Sequence, residues 1–263
     1  MEKVREPVSE LIGFSGGYKS GEPVVSCVSA TFEPGAVTSV IGPNGAGKSS
    51  LLRGLAGLLP WSSGRVNLCG EDVGGMPRLT VARKVALMGA KCPTSSLSVF
   101  EYVMLGRTPH RSLLAMRDSA ADKVAVSEAL ASVGLPSLAH LPMSTLSDGQ
   151  RQLACLARAL VQSPRLLLLD EPTSSLDPAN SQIVLSHVVD VTRKAGIATV
   201  AVMHDVNLAR RWSDFVLILR GGRLLRCGRS EDVLTADALS EAYGVPFERC
   251  EAFLTKKHSQ MGF

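Results

Sequence analysis

The chain has 263 residues, 45% hydrophobic and 20% charged, enough to bury a sizeable core as one globular domain with room for a subdomain. No stretch approaches the ~18 consecutive apolar residues that cross a bilayer, and the opening MEKVREPVSE has no apolar region of the secretory kind, so the protein is expected to stay in the compartment where it is made. The net charge of +4 permits an acidic ligand or a membrane-surface location and is too weak to argue for nucleic acid, so no nucleic-acid partner is expected.

In chain order, strands are expected near Pro23 to Val28, Ala36 to Ile41, Arg65 to Leu68 and Lys84 to Met88, separated by turn signals at Pro34-Gly35 and Gly74-Gly75. One helix interrupts them: Leu51, Leu52, Leu55, Leu58 and Leu59 recur on one face until Pro60 stops it. From about Pro93 to Ser163 the period becomes helical, with Val126, Ala129, Leu130 and Val133 on one stripe and Leu153, Leu156, Ala157 and Leu160 on another. RLLLLD (165 to 170) and ATVAVMHD (198 to 205) follow as continuous apolar runs ending in acids, the pattern of parallel strands buried on both faces. Functional residues are expected at the carboxyl edge of such strands. VLILRGGRLLRCG (216 to 228) reads as an antiparallel hairpin turning at Gly221-Gly222. Six scattered cysteines, at 27, 69, 92, 155, 227 and 250, with no C-x-x-C pair, suggest neither zinc nor a disulfide framework and are expected to be reduced thiols packed as small hydrophobes.

Between the second expected strand and the first helix lies Gly42-Pro43-Asn44-Gly45-Ala46-Gly47-Lys48-Ser49-Ser50, the G-x-x-x-x-G-K-S pattern of a phosphate-binding loop. Glycines let backbone amides converge on phosphates and the helix amino terminus adds partial positive charge. Lys48 is expected to reach the β and γ phosphates, and the Ser49 hydroxyl to ligate Mg²⁺. Asp170 and Glu171 end the RLLLLDE run; on an extended strand adjacent side chains point to opposite sides, so Asp170 is assigned to Mg²⁺ and Glu171 to polarising the attacking water as general base. His204 ends the next run, where a histidine alone is more often structural than catalytic.

LSDGQ (146 to 150), SSLD (174 to 177) and the MHD histidine, with the phosphate loop and LLLLDEP, stand in the order and spacing of ATP-binding cassette (ABC) ATPases, a resemblance covering roughly residues 8 to 250. It implies an α/β fold: a P-loop nucleotide-binding domain with an antiparallel β subdomain and a helical subdomain. The single domain would run 1–263, with 1–90 and 164–250 as the core, 91–163 helical and 251–263 a tail. The resemblance further implies a homodimer that sandwiches two ATP molecules. Ser147 and Gly149 of one copy would contact the γ-phosphate held by the other, backed by a helix starting near Gln150. His204 would clamp the same phosphate and the attacking water, Asp177 would bridge to the opposite phosphate loop, and Tyr18 would stack on adenine.

Two departures stand out. Asp148 replaces the first glycine of the usual LSGGQ, so its carboxylate must point away or bind a cation. The glutamine that such proteins carry after the strand at VALM (85 to 88) is missing: no glutamine precedes Gln150, and Ala90 takes its place beside Lys91. SVFEYVMLGRTPHR (98 to 111) and AYGVPFE (242 to 248) resemble the cassettes of iron-siderophore, haem and cobalamin importers, with Arg107 and His110 equally readable as a solvated turn. That resemblance implies an ATPase peripheral on the cytoplasmic face of the cell membrane, bound to integral-membrane permease subunits and indirectly to a substrate-binding protein. The alternative is a regulatory or assembly ABC-type ATPase uncoupled from transport.

Overall fold

Apolar runs with no polar alternation need cover on both faces, and they form the centre of the molecule. The computed structural model describes residues 6–18, 22–111 and 118–250; the expected tail at 251–263 lies outside them. In chain order the strands are β1 (Ser9–Gly16), β2 (Val25–Phe32), β3 (Val37–Ile41), β4 (Trp61–Leu68), β5 (Glu71–Asp72), β6 (Val85–Met88), β7 (Leu166–Asp170), β8 (Ala198–Val202), β9 (Phe215–Arg220) and β10 (Arg223–Arg229). The helices are α1 (Lys48–Leu55), α2 (Arg78–Lys84), α3 (Val99–Met104), α4 (Ala120–Ser132), α5 (Asp148–Leu160), α6 (Pro178–Ala195), α7 (Val206–Trp212), α8 (Ser230–Val233) and α9 (Ala236–Tyr243).

Sheet topology separates two layers. A four-stranded antiparallel sheet runs β2-β1-β4-β5, and a six-stranded sheet runs β10-β9-β3-β8-β7-β6, parallel from β9 to β6 with β10 as its antiparallel edge. In the larger sheet Leu167, Leu169, Ala201 and Ile218 pack toward the helical layer, while Leu166, Leu168, Val200 and Leu217 pack toward α1 and the smaller sheet. Both faces are therefore dry, as the unbroken apolar runs require. The stripe of Val126, Ala129, Leu130 and Val133 is buried in the helical layer, as are Leu153, Leu156 and Ala157.

Several expectations change on inspection. β1 carries no expected strand because its alternation is broken: the register shifts between Leu11 and Phe14, so two buried side chains stand three residues apart while Ile12 faces solvent. β4 begins four residues earlier than expected: Trp61 is half-buried against Phe14, and the exposed Ser62, Ser63 and Gly64 that follow show no apolar alternation. Helix α1 stops at Leu55, not at Pro60, because the amides of Leu58 and Leu59 both turn back to the Arg53 carbonyl, leaving Leu58 56% exposed. The cysteines are not uniformly buried thiols. Cys92 and Cys155 are joined across 63 residues as a disulfide with Cα atoms 6.3 Å apart, Cys250 is buried, and Cys27, Cys69 and Cys227 are exposed. Sequence spacing carries no trace of that pairing, which arises only when the exit of β6 is laid against α5.

In the LGRTPH turn Arg107 and His110 are partnered by protein groups. Arg107 Nε donates to Asp122 Oδ1 at 2.8 Å and its Nη1 donates to the Val161 carbonyl at 2.9 Å, while His110 Nε2 lies 2.9 Å from the Gln162 carbonyl. A cation and a ring nitrogen thus meet the carbonyls left over at the carboxyl end of α5, where the helix dipole favours them. The Arg107 guanidinium, then the Ser119 hydroxyl, hold the Asp122 carboxyl below the usual carboxylate range. A depressed folded value means the stabilisation is complete above the ordinary carboxylate range and is lost as pH falls through the depressed value. Asp122→Asn is expected to cost about 1.5 kcal/mol at neutral pH, the worth of a hydrogen bond to a charged group. Urea unfolding at stepwise lower pH should show the gap to the parent closing in acid.

Candidate active site

The register of the larger sheet sets the site. Val202 at the end of β8 pairs with Val40 of β3 on one side and with Asp170 of β7 on the other, so three strand ends lie level. One or two residues past that line come Gly42, Glu171 and His204.

The phosphate loop is pinned from behind. A side chain at Gly42, whose φ is 144°, would place its Cβ 2.1 Å from the Leu219 carbonyl oxygen, so only glycine lets β3 turn into the loop beside β9. The Gly42 amide donates to Tyr243 Oη at 3.2 Å, and the Gly222 amide in the hairpin turn donates to the Ala46 carbonyl at 3.2 Å. Lys48 Nζ donates to the Gly42 and Pro43 carbonyls at 2.8 and 3.0 Å, which wraps the loop around the amine. Lys48 is 6% exposed, and burial pulls its amine below the usual lysine range against the opposing pull of Glu171 and Asp170.

Ser49 Oγ donates to Asp170 Oδ1 at 2.8 Å, bringing a hydroxyl and a carboxylate together at the start of α1. This pair of hard oxygens is donor chemistry that would suit Mg²⁺. Glu171 corrects the alternation argument. Strand β7 ends at Asp170, and Glu171 turns into the left-handed region with φ 54°, so its direction is set by a turn and not by the pleat. Its Oε1 lies 2.5 Å from His204 Nε2. A cleft of about 510 Å³ is lined by Asn44, Gly45, Gly47 and Lys48 together with Glu171 and His204.

The remaining expected site residues lie elsewhere. Tyr18 is exposed beside α1, its Oη accepting from Arg53 Nη1 at 2.6 Å and 3.4 Å from Ser50 Oγ, with the Arg53 guanidinium 5.8 Å from the ring centroid. Helix α5 starts at Asp148, two residues before the expected position, because Ser147 is its cap: Ser147 Oγ accepts from the Gln150 amide and the Gln150 side chain accepts from the Ser147 amide. Asp148 points outward and is paired with Arg151 one turn on. Ser147 and Gly149 line a separate hollow of about 400 Å³ that includes Asn180 and no residue of the phosphate loop. Asp177 caps α6, accepting from the Asn180 amide at 2.9 Å and its side-chain Nδ2 at 2.6 Å, and these two bonds hold its carboxyl below the usual range. Asn180 also lies against Gly149, where any Cβ would come 2.7 Å from Asn180 Oδ1. One copy therefore holds the loop, Asp170, Glu171 and His204 in one place and Ser147, Gly149 and Asp177 in another. Tyr243 was not singled out from sequence. Its AYGVPFE segment marked a resemblance without a role, and only the docking of α9 against β9 brings the hydroxyl to Gly42.

Residues 25–174 match the family described as ABC transporter. The ferric enterobactin transport ATP-binding protein FepC of Escherichia coli is 37% identical over 212 residues, spanning 80% of this chain and 78% of that one. The hemin import ATP-binding protein HmuV of Streptomyces coelicolor is 38% identical over 245 residues, 91% of this chain and 85% of the relative. Among solved structures, cbiO1 of Clostridium perfringens, part of the ABC transporter complex cbiONQ, superposes with a TM-score of 0.80 at 23% identity over 95% of this chain and 99% of that one, a likeness of fold.

Tyr243→Phe deletes one hydroxyl and keeps the ring. Loss of one hydrogen bond to the loop is expected to raise the KM for ATP roughly fivefold. Steady-state ATPase assays with thermal unfolding alongside should show that rise without a change in Tm.

Proposed function

This chain belongs to the ABC transporter family, and on that footing we propose that it is the ATP-hydrolysing subunit of an importer for a metal chelate of the iron-siderophore, haem or cobalamin type. Members of this kind hydrolyse ATP and work with membrane permease subunits, and relatives that serve importers favour this reading over a regulatory or assembly ATPase uncoupled from transport. The observation that carries it is the level line of strand ends, which gathers a phosphate loop, an acid for the metal, a second acid and a histidine around one cleft.

In this reading Tyr18 stacks on adenine, and the loop amides with Ser50 and Lys48 bind the phosphates. Ser49 and Asp170 would hold Mg²⁺, which would supply charge neutralisation to the phosphates. Glu171 accepts a proton from the attacking water, and His204 beside it clamps the γ-phosphate and that water. Because Ser147 and Gly149 stand apart from their own phosphate loop, a second copy supplies them across a head-to-tail homodimer, with Asp177 meeting the opposite loop. Closure of that dimer drives the permease, and residues 91–163 act as the helical subdomain that moves. The permease-facing surface is the groove of about 520 Å³ lined by Leu58, Leu59, Trp61, Met76, Val81 and Leu87. Among the described residues no helix is long and apolar enough to cross a membrane, so attachment at the cytoplasmic face falls to that groove. A substrate-binding protein meets the permease, not this chain.

Glu171→Gln is expected to lower kcat about 100-fold or more, the usual worth of a general base, and to trap a closed dimer on ATP. Captured from gently solubilised native membranes with ATP present, it should bring a polytopic permease with it; recovery of soluble proteins alone would move the assignment to the uncoupled alternative. Ala90 in place of the usual glutamine is expected to slow hydrolysis or alter its coupling. Ala90→Gln should therefore raise the ATPase rate, and an unchanged rate would remove that role.

A further inference from the structure

We propose that Gln152 is a positioning residue for hydrolysis, fixing the turn that presents Glu171 to the helix that carries Ser147 and Gly149. The inference deepens the reading above and rests on Glu171 acting as the base.

Gln152 lies on α5, five residues past its cap, and is 2% exposed among apolar neighbours such as Leu153, Cys155 and Leu156. A buried primary amide is costly unless its hydrogens and oxygen are matched. Its Nε2 donates to the Pro172 carbonyl at 2.9 Å, and that bond is itself buried. Pro172 directly follows Glu171, whose φ of 54° places a non-glycine residue in a sparsely populated region. Such a conformation persists only where its surroundings over-determine it. The bond from Gln152 tethers this turn on its carboxyl side, and the Ser174 amide returns to the Glu171 carbonyl at 3.3 Å. With the turn held, Glu171 Oε1 meets His204 Nε2. The other end of the same amide packs against Cys92, two residues past Ala90. A single side chain thus touches α5, the turn of the base and the loop from which the usual glutamine is missing.

Two variants test this. Gln152→Met matches the length and volume of glutamine and deletes the donor. It is expected to lower kcat about tenfold, with the KM for ATP within about twofold. Added to Glu171→Gln, it should lower the residual turnover no further, because both changes act through one base. Gln152→Glu retains a donor only in its protonated form, so its kcat relative to the parent should fall as pH rises and the carboxyl ionises. A packing role alone would give a deficit independent of pH, and that outcome overturns the proposal, as does a parental kcat for Gln152→Met or a loss that adds fully to that of Glu171→Gln. If Gln152→Met does not fold, the pH profile of Gln152→Glu decides alone. A Glu171→Gln protein with parental turnover would instead overturn the base assignment, whereas inactive Glu171→Gln beside fully active Gln152→Met would overturn only the present inference.

Discussion

The in-register parallel pairing of β3, β8 and β7 is the constraint on which the rest depends. Val202 faces Val40 on one side and Asp170 on the other, so whatever follows each strand emerges at one height. Parallel strands buried on both faces cannot slip by one residue without inverting their contacts with both layers, so this level is strongly specified. Chemistry at the edge is then a matter of short extensions: two residues to Gly42, one to Glu171, two to His204. The core and the site are in this sense one object, because the apolar side chains that set the register also set the distance between Glu171 and His204.

Much of this could be read from the residues. The two apolar runs ending in acids, the glycine pattern between strand and helix and the Gly221-Gly222 hairpin all rest on local chemistry, and local chemistry is visible in a string of letters. The failures share a different cause. β1 hides behind a register shift that breaks its alternation, and the first half of β4 is exposed, so neither shows a pattern. Strand alternation does not account for Glu171, since a left-handed turn and not the pleat sets its direction. The Cys92 link to Cys155, the Tyr243 hydroxyl at Gly42 and the capping by Arg107 and His110 join residues between 50 and about 200 positions apart. No propensity or period encodes such meetings; they exist only once the layers have been stacked.

The division of the expected site residues between two places carries its own logic. Asp177, Asn180 and Gly149 form a tight contact within one copy, with no room for a Cβ between Gly149 and Asn180. The cap of α6 and the first turn of α5 therefore move as a unit. In the proposed dimer, the surface that approaches the partner's nucleotide and the surface that approaches the partner's loop are locked together, and neither can engage without the other. The departures from the usual motif leave this arrangement intact, because the added charge of Asp148 is directed outward to Arg151.

Helix α5 is clamped at its carboxyl end. Its last carbonyls are gripped by Arg107 and His110, and Gln162 just beyond reaches the Val85 carbonyl at 2.6 Å, whereas its first turn stands at the surface. Thirteen residues make a rod of about 20 Å, so a tilt of roughly 10° about the clamped end sweeps the Ser147 tip about 3 Å and the Gln152 amide about 2 Å. The first displacement is on the scale of making or losing a phosphate contact; the second is enough to break a hydrogen bond. The helix is a cantilever whose tip and mid-span swing through one angle, so the pose that offers Ser147 to a neighbour is mechanically tied to the pose that steadies the catalytic acid of its own subunit.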